Sequence, residues 1–172
     1  MSAPGENTKA FLALIRHTEG TDPNIKGWDP YRVSYGYEFE IVDLAFHPSD
    51  PALGEARWRG KRLPDAMCRA VRLKPGCVST AAGAYQFIWP TWRAFRDRLL
   101  LVNFEQPAQD DAAEAYLEEL GALELIERGD IPEALKLASA AWASLPMSAS
   151  GQPKVSLDRA IALFEEAGGN LA

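Results

Sequence analysis

The chain has 172 residues, 47% of them hydrophobic and 24% charged, with a net charge of −6. This balance suits one compact globular domain, and no apolar run is long enough to span a membrane. The acidic surplus argues against general nucleic-acid affinity, so no nucleic-acid partner is expected.

Phe11, Leu14 and Ile15 recur at helical spacing, and Thr18 continues the stripe. A first helix is therefore predicted from about Asn7 to Thr18, with Asn7 or Thr8 as its cap. Gly20 is placed as a helix-ending glycine. Glu19 falls close to the buried face at the negative end of that helix. Apolar neighbours and the helix dipole both disfavour its anion and raise its pKa, as a general acid at neutral pH requires. Asp22 reads as the cap of a turn into Pro23.

From Arg32 to Leu44 the apolar period changes to two, with Tyr35, Tyr37, Phe39 and Ile41 on one face. This predicts a strand or hairpin. Prolines and glycines punctuate a long loop from His47 to Gly76, with a short helix from Asp65 to Arg72. The bases Arg57, Arg59, Lys61, Arg62, Arg69, Arg72 and Lys74 cluster here with Asp65 as the sole acid. Such a cluster suits an anionic surface or a solvated loop. Cys68 and Cys77 flank a short loop, and two reduced thiols are the expectation for a cytoplasmic product.

Further helices are predicted from about Pro90 to Leu99, from Pro107 to Gly121 and from Ala122 to Arg128. Asp130 with Glu133 forms a capping-box signature for a helix running to about Trp142. A loop over Leu145–Pro153 precedes a last helix from Ser156 to Ala167. The sum is a mainly α, α+β domain.

Several chemistries are missing. There is no phosphate loop, no dinucleotide glycine fingerprint and no Gly-x-Ser-x-Gly elbow. His17 and His47 are too few for a zinc cluster, and no metal or cofactor is expected. What remains is acid–base chemistry on a carboxylic acid among aromatic and polar residues, a combination suited to sugar polymers.

Four ordered blocks carry a family resemblance: Thr18-Glu-Gly-Thr-Asp22; Gly36-Tyr37-Glu38; Ser79-Thr80 through Ala82-Gly83 to Tyr85-Gln86; and Ile126–Ile131 followed by Trp142-Ala-Ser-Leu-Pro146 and a closing Phe164–Gly169. In these the chain resembles the lambda-type phage endolysins, over almost its whole length. The resemblance implies a single lysozyme-like catalytic domain over 1–172, two-lobed, with a small β-sheet or hairpin lobe beside the cleft. It implies Glu19 as the lone catalytic acid/base and peptidoglycan glycan strands as substrate. It further implies cleavage by lytic transglycosylation, leaving 1,6-anhydro-muramic ends. Tyr37, Ser79, Gly83, Tyr85, Gln86, Trp142, Leu145 and Pro146 are the implied substrate-binding residues. Gly83 would allow close backbone approach, and Tyr85 and Gln86 would offer hydrogen bonds. Residues 49–68 have no clear family counterpart and read as an insertion over the cleft. Met147–Ser150 replace an aromatic-bearing loop. A monomer is expected, held in the host cytoplasm until a holin-type lesion releases it to the cell wall. The alternatives are a hydrolysing muramidase and a non-catalytic glycan-binding protein of the same fold.

Overall fold

A computed structural model of the chain describes residues 5–148 and 155–172. In chain order the helices are α1 (Glu6–Thr18), α2 (Pro23–Lys26), α3 (Asp65–Ala70), α4 (Trp89–Leu99), α5 (Gln106–Glu119), α6 (Leu123–Arg128), α7 (Ile131–Ala138) and α8 (Leu157–Glu166). Two short strands, β1 (Lys61–Arg62) and β2 (Val78–Ser79), pair antiparallel with Lys61 opposite Ser79. The mainly helical α+β architecture agrees with the expectation. The chain divides into two compact units, one of Met1–Gly20 with Ala113–Ala172 and one of Thr21–Ala112.

In the first unit α1 packs on α6 and α8, and α7 contacts both. The buried stripe of α1, Phe11 with Leu14 and Ile15, shares this core with Leu117, Ile126, Ile131, Leu135 and Phe164. Each such side chain stabilises the unit by roughly 1.5–3 kcal/mol. The cap of α1 is Gly5, not Asn7 or Thr8. Asn7 lies inside the helix, where its amide donates to Ile126 O and Asn170 O and accepts from Asn170 N. It therefore ties the C-terminal tail to the opening helix.

The second unit has an aromatic core. Trp92, Phe104 and Tyr85 are fully buried, with Phe87 and Phe95 beside them. Gln109 is buried at its centre. It accepts from Ala84 N (2.8 Å) and donates to Tyr31 O (3.0 Å) and Phe104 O (2.6 Å). Three backbone groups lose their partner if that amide is removed. His47 is also buried, its Nε2 on Phe87 O (2.9 Å) and its Nδ1 accepting from Ser49 N (3.1 Å). This pattern fixes the neutral tautomer, and burial pushes the imidazole pKa down to about 4.

Three expectations are corrected. The alternating run Arg32–Leu44 is not a strand: it forms 3₁₀ turns at Pro30–Arg32 and Tyr35–Tyr37, with an isolated bridge between Val33 and Glu40. Gly36 (φ 65°) and Tyr37 (φ 55°) adopt left-handed backbone there, which reverses the chain where a strand would continue. The sheet lies instead with β1 inside the predicted long loop and β2 just after it. Secondly, Cys68 and Cys77 are disulfide-bonded. The β1–β2 pairing and the turn of α3 fold the intervening loop back on itself, bringing their Cα atoms to 5.8 Å. Thirdly, α7 ends at Ala138 rather than Trp142, and Asp130 makes no side-chain cap. The Ser139 hydroxyl donates to Leu135 O, and the next amides close tighter i−3 bonds to Leu137 and Ala138. Of the predicted loop Leu145–Pro153, the part beyond Ser148 lies outside the described residues.

Candidate active site

The first unit holds Glu19. Helix α1 closes with Glu19 N donating to Ile15 O (2.8 Å), and Gly20 then turns the chain at φ 73°. The residue keeps some exposure, yet protein surrounds its carboxyl. Burial raises its pKa from the ordinary 4.5 to about 7, against a smaller lowering by a hydrogen bond from Ser144. At neutral pH the group is thus divided between acid and carboxylate, the condition for giving and later taking one proton.

The Ser144 hydroxyl donates to Glu19 Oε1 at 2.5 Å and also lies 3.1 Å from Thr18 Oγ1. Thr18 in turn donates to Ile15 O at 3.1 Å. A serine hydroxyl has one proton and two lone pairs. When Glu19 is ionised, Ser144 donates to it. When Glu19 is protonated, Ser144 accepts from it and turns its own proton to Thr18. The contact therefore survives both charge states. Ser144 had no predicted role, although it sits inside the quoted Trp142–Pro146 block. The signal missed was a hydroxyl between two buried apolar anchors.

Those anchors, Trp142 and Leu145, are buried, with Trp142 against the Tyr116 ring at 5.4 Å. They hold the short turn that carries Ser144, where Leu145 N donates to Trp142 O. Pro146 follows, partly exposed.

The other predicted residues belong to the second unit. Tyr37 packs edge-on to Trp28 (5.1 Å), with Lys26 Nζ 4.6 Å from its ring centre. All three are at least partly accessible, a combination able to stack on a sugar face and donate to its hydroxyls. Burial, and secondarily the Asp22 charge, raise the Tyr37 hydroxyl pKa, so it stays a donor. Asp22 itself caps the turn at Asn24 N, as expected. Gln86 is partly accessible at φ 50°, its amide donating to Val33 O (3.2 Å) and Gly83 O (2.9 Å). Ser79 is partly accessible at the end of β2.

Two predicted contacts turn out to serve the fold. Tyr85 is 1% exposed and its hydroxyl donates to Asp110 at 2.5 Å. Gly83 has φ 78°, and a Cβ there would fall 2.1 Å from Gln109 Oε1. Its missing side chain makes room for the buried glutamine.

The model of the Endolysin family matches residues 9–171. The chain is 35% identical over 168 residues to the endolysin of Escherichia phage lambda, covering 95% of this chain and 92% of that protein. It is 31% identical over 166 residues to the endolysin of Escherichia phage P2, covering 95% and 94%. Among solved structures it resembles bacteriophage lambda lysozyme complexed with a chitohexasaccharide (TM-score 0.81, 34% identity). It also resembles a further structure of lysozyme from bacteriophage lambda (TM-score 0.77, 34% identity). Both matches cover 100% of each chain.

Proposed function

The chain belongs to the endolysin family, and from that premise we propose that it is a lytic transglycosylase with Glu19 as its single catalytic acid/base. At the coarser level it is a lysozyme-like, cell-wall-lytic enzyme. What supports the finer reading is the acid itself: burial lifts its pKa to about 7, and the hydrogen bond that opposes this rise comes from a serine.

In the proposed reaction a peptidoglycan strand lies against the Glu19 carboxyl. Glu19 gives its proton to the oxygen linking N-acetylmuramic acid to N-acetylglucosamine, and the C1–O bond breaks. Charge builds on C1, where the substrate's own acetamido group supplies electrons. The carboxylate left on Glu19 then takes the proton from the muramic 6-hydroxyl. That oxygen bonds to C1 and closes the 1,6-anhydro ring. No water enters, and Glu19 ends protonated as it began. Two-carboxylate glycosidases need a second acid as base or nucleophile; here the substrate replaces it.

Ser144 fits this cycle, since it can follow the proton on and off Glu19 without leaving it. The exposed face of Tyr37 and the amide of Gln86 are the proposed sugar contacts. That a relative binds a chitohexasaccharide supports an aminosugar chain as ligand. The Cys68–Cys77 bridge supports an oxidising destination, which we propose is reached through a holin-type lesion.

The test is mass analysis of fragments released from purified sacculi. Anhydro ends are one water lighter than hydrolytic ends. Transglycosylation predicts the lighter series from the wild type and no fragments from Glu19→Gln. Fragments carrying the added water would support the hydrolytic muramidase instead.

A further inference from the structure

The stretch from β1 through β2 projects little into any core. Of residues 61–79 Cys68 alone is buried, and the run 69–76 is exposed throughout. Its shape is nevertheless specified. The strands pair at its base, Leu63 N donates to Cys77 O (3.0 Å) and Leu73 N donates to Cys68 O (2.8 Å). The disulfide bolts α3 to the returning chain. Gly60 at the root has φ 91°, and a Cβ there would meet Ser79 O at 2.7 Å. A short exposed excursion built with this much restraint is a presented element rather than slack chain.

What it presents is charge and aliphatic surface together. Seven bases from Arg57 to Lys74 face one acid, in a chain whose net charge is −6. That acid, Asp65, pairs with Arg62 at 3.9 Å. Arg59, Arg69, Arg72 and Lys74 are exposed and make no ion pair among the described residues. Arg72 occupies a left-handed backbone position (φ 59°) at the tip, where glycine or asparagine is the relaxed choice. Interleaved with these cations, Val71 and Leu73 are 52% and 53% exposed.

We propose that residues 61–79 form a disulfide-stapled cationic finger that docks on an anionic phospholipid surface. The cations match lipid phosphates, and Val71 with Leu73 gain by entering the interfacial layer beneath them. A solvated carboxylate polymer, such as the peptide stems of the cell wall, matches the charge but leaves the two aliphatic side chains without a function. The acidic remainder of the protein is repelled by the same surface, so the finger leads. The proposal is independent of whether the enzyme transfers or hydrolyses.

The test is cosedimentation of the full oxidised chain with phosphatidylethanolamine vesicles, with and without phosphatidylglycerol. Binding is expected with phosphatidylglycerol alone, and it falls as salt rises. Each cation near an anionic surface contributes about fivefold in partition. The triple variant Arg69→Gln, Arg72→Gln, Lys74→Gln therefore binds about a hundredfold more weakly. Val71→Ser with Leu73→Ser weakens binding by about tenfold at unchanged charge. Both variants keep wild-type cleavage of purified sacculi, which certifies their folding and separates this proposal from the catalytic one. Equal binding to neutral vesicles overturns it. So does binding that the triple variant retains, or binding to inactivated sacculi with none to the charged vesicles.

Discussion

Replacing Glu19 by glutamine should abolish cleavage and, at the same time, stabilise the protein in a pH-dependent way. The unfolded carboxyl titrates near 4.5, the folded one at about 7. Between those values the folded chain binds more protons than the unfolded chain, so wild-type stability falls as pH rises through the window. At about 1.4 kcal/mol per pH unit, the full penalty above pH 7 is about 3 kcal/mol, with the residue's partial exposure trimming it. Glutamine keeps the shape and cannot ionise. The variant and wild type should therefore have similar stability below pH 4.5, and the variant should lead by about 2–3 kcal/mol at pH 8. For a chain of this size that is a rise of roughly 5–10 °C in Tm. Calorimetric melting of both proteins from pH 4 to pH 8 is the assay. A Tm difference that stays constant with pH, or a variant less stable at pH 8, would refute the idea that burial of this carboxyl sets its protonation.

Three further outcomes follow from the geometry. Ser144→Ala removes the hydrogen bond that lowers the Glu19 pKa, so the alkaline limb of kcat/KM should move to higher pH while kcat falls; Ser144→Thr should restore both, and an unmoved limb would deny Ser144 its part. His47 is held neutral with a pKa of about 4 against an unfolded value of 6.5; stability should fall by up to about 3 kcal/mol as pH drops through that window, and His47→Asn should flatten that slope in acid-denaturation curves. Reducing the Cys68–Cys77 bridge, nine residues apart, should cost about 2–3 kcal/mol and act locally; limited proteolysis should then cut within residues 69–76, whereas cleavage spread over the chain would show that the bridge supports the whole fold.

Much of the helical framework was readable because it rests on short-range rules. The apolar stripe of α1, Pro90 in the first turn of α4, the end of α6 at Arg128 and the start of α8 beside Ser156 all declared themselves in local spacing. The alternating aromatics of residues 35–41 misled because period two describes which faces are apolar, not whether the backbone extends. One left-handed glycine followed by a left-handed tyrosine was enough to replace a strand by turns. The disulfide depended on a two-residue ladder with no hydrophobic signature of its own.

The acid was legible and its partner was not. Glu19 stood out because a carboxylate beside a buried stripe conflicts with burial. Ser144 lies 125 positions away in sequence and reaches Glu19 through the packing of Trp142 and Leu145. The apolar anchors that flank it signal a fixed position, but not which distant residue it meets. For Tyr85 and Gly83 the residue types suited a binding wall, but the partly buried Asp110 and the buried Gln109 that engage them lie more than twenty residues further on. Tertiary partners decided whether those groups face ligand or core.

The account turns on a carboxylic acid kept neutral near physiological pH. Carbon-13 labelling of the glutamate carboxyls, with Glu19→Gln to assign the resonance, allows its titration to be followed directly in the intact protein. The account predicts a midpoint near 7 for that one signal. A midpoint near the ordinary 4.5 would contradict it, because Glu19 would then hold no proton to give at the pH where the enzyme works.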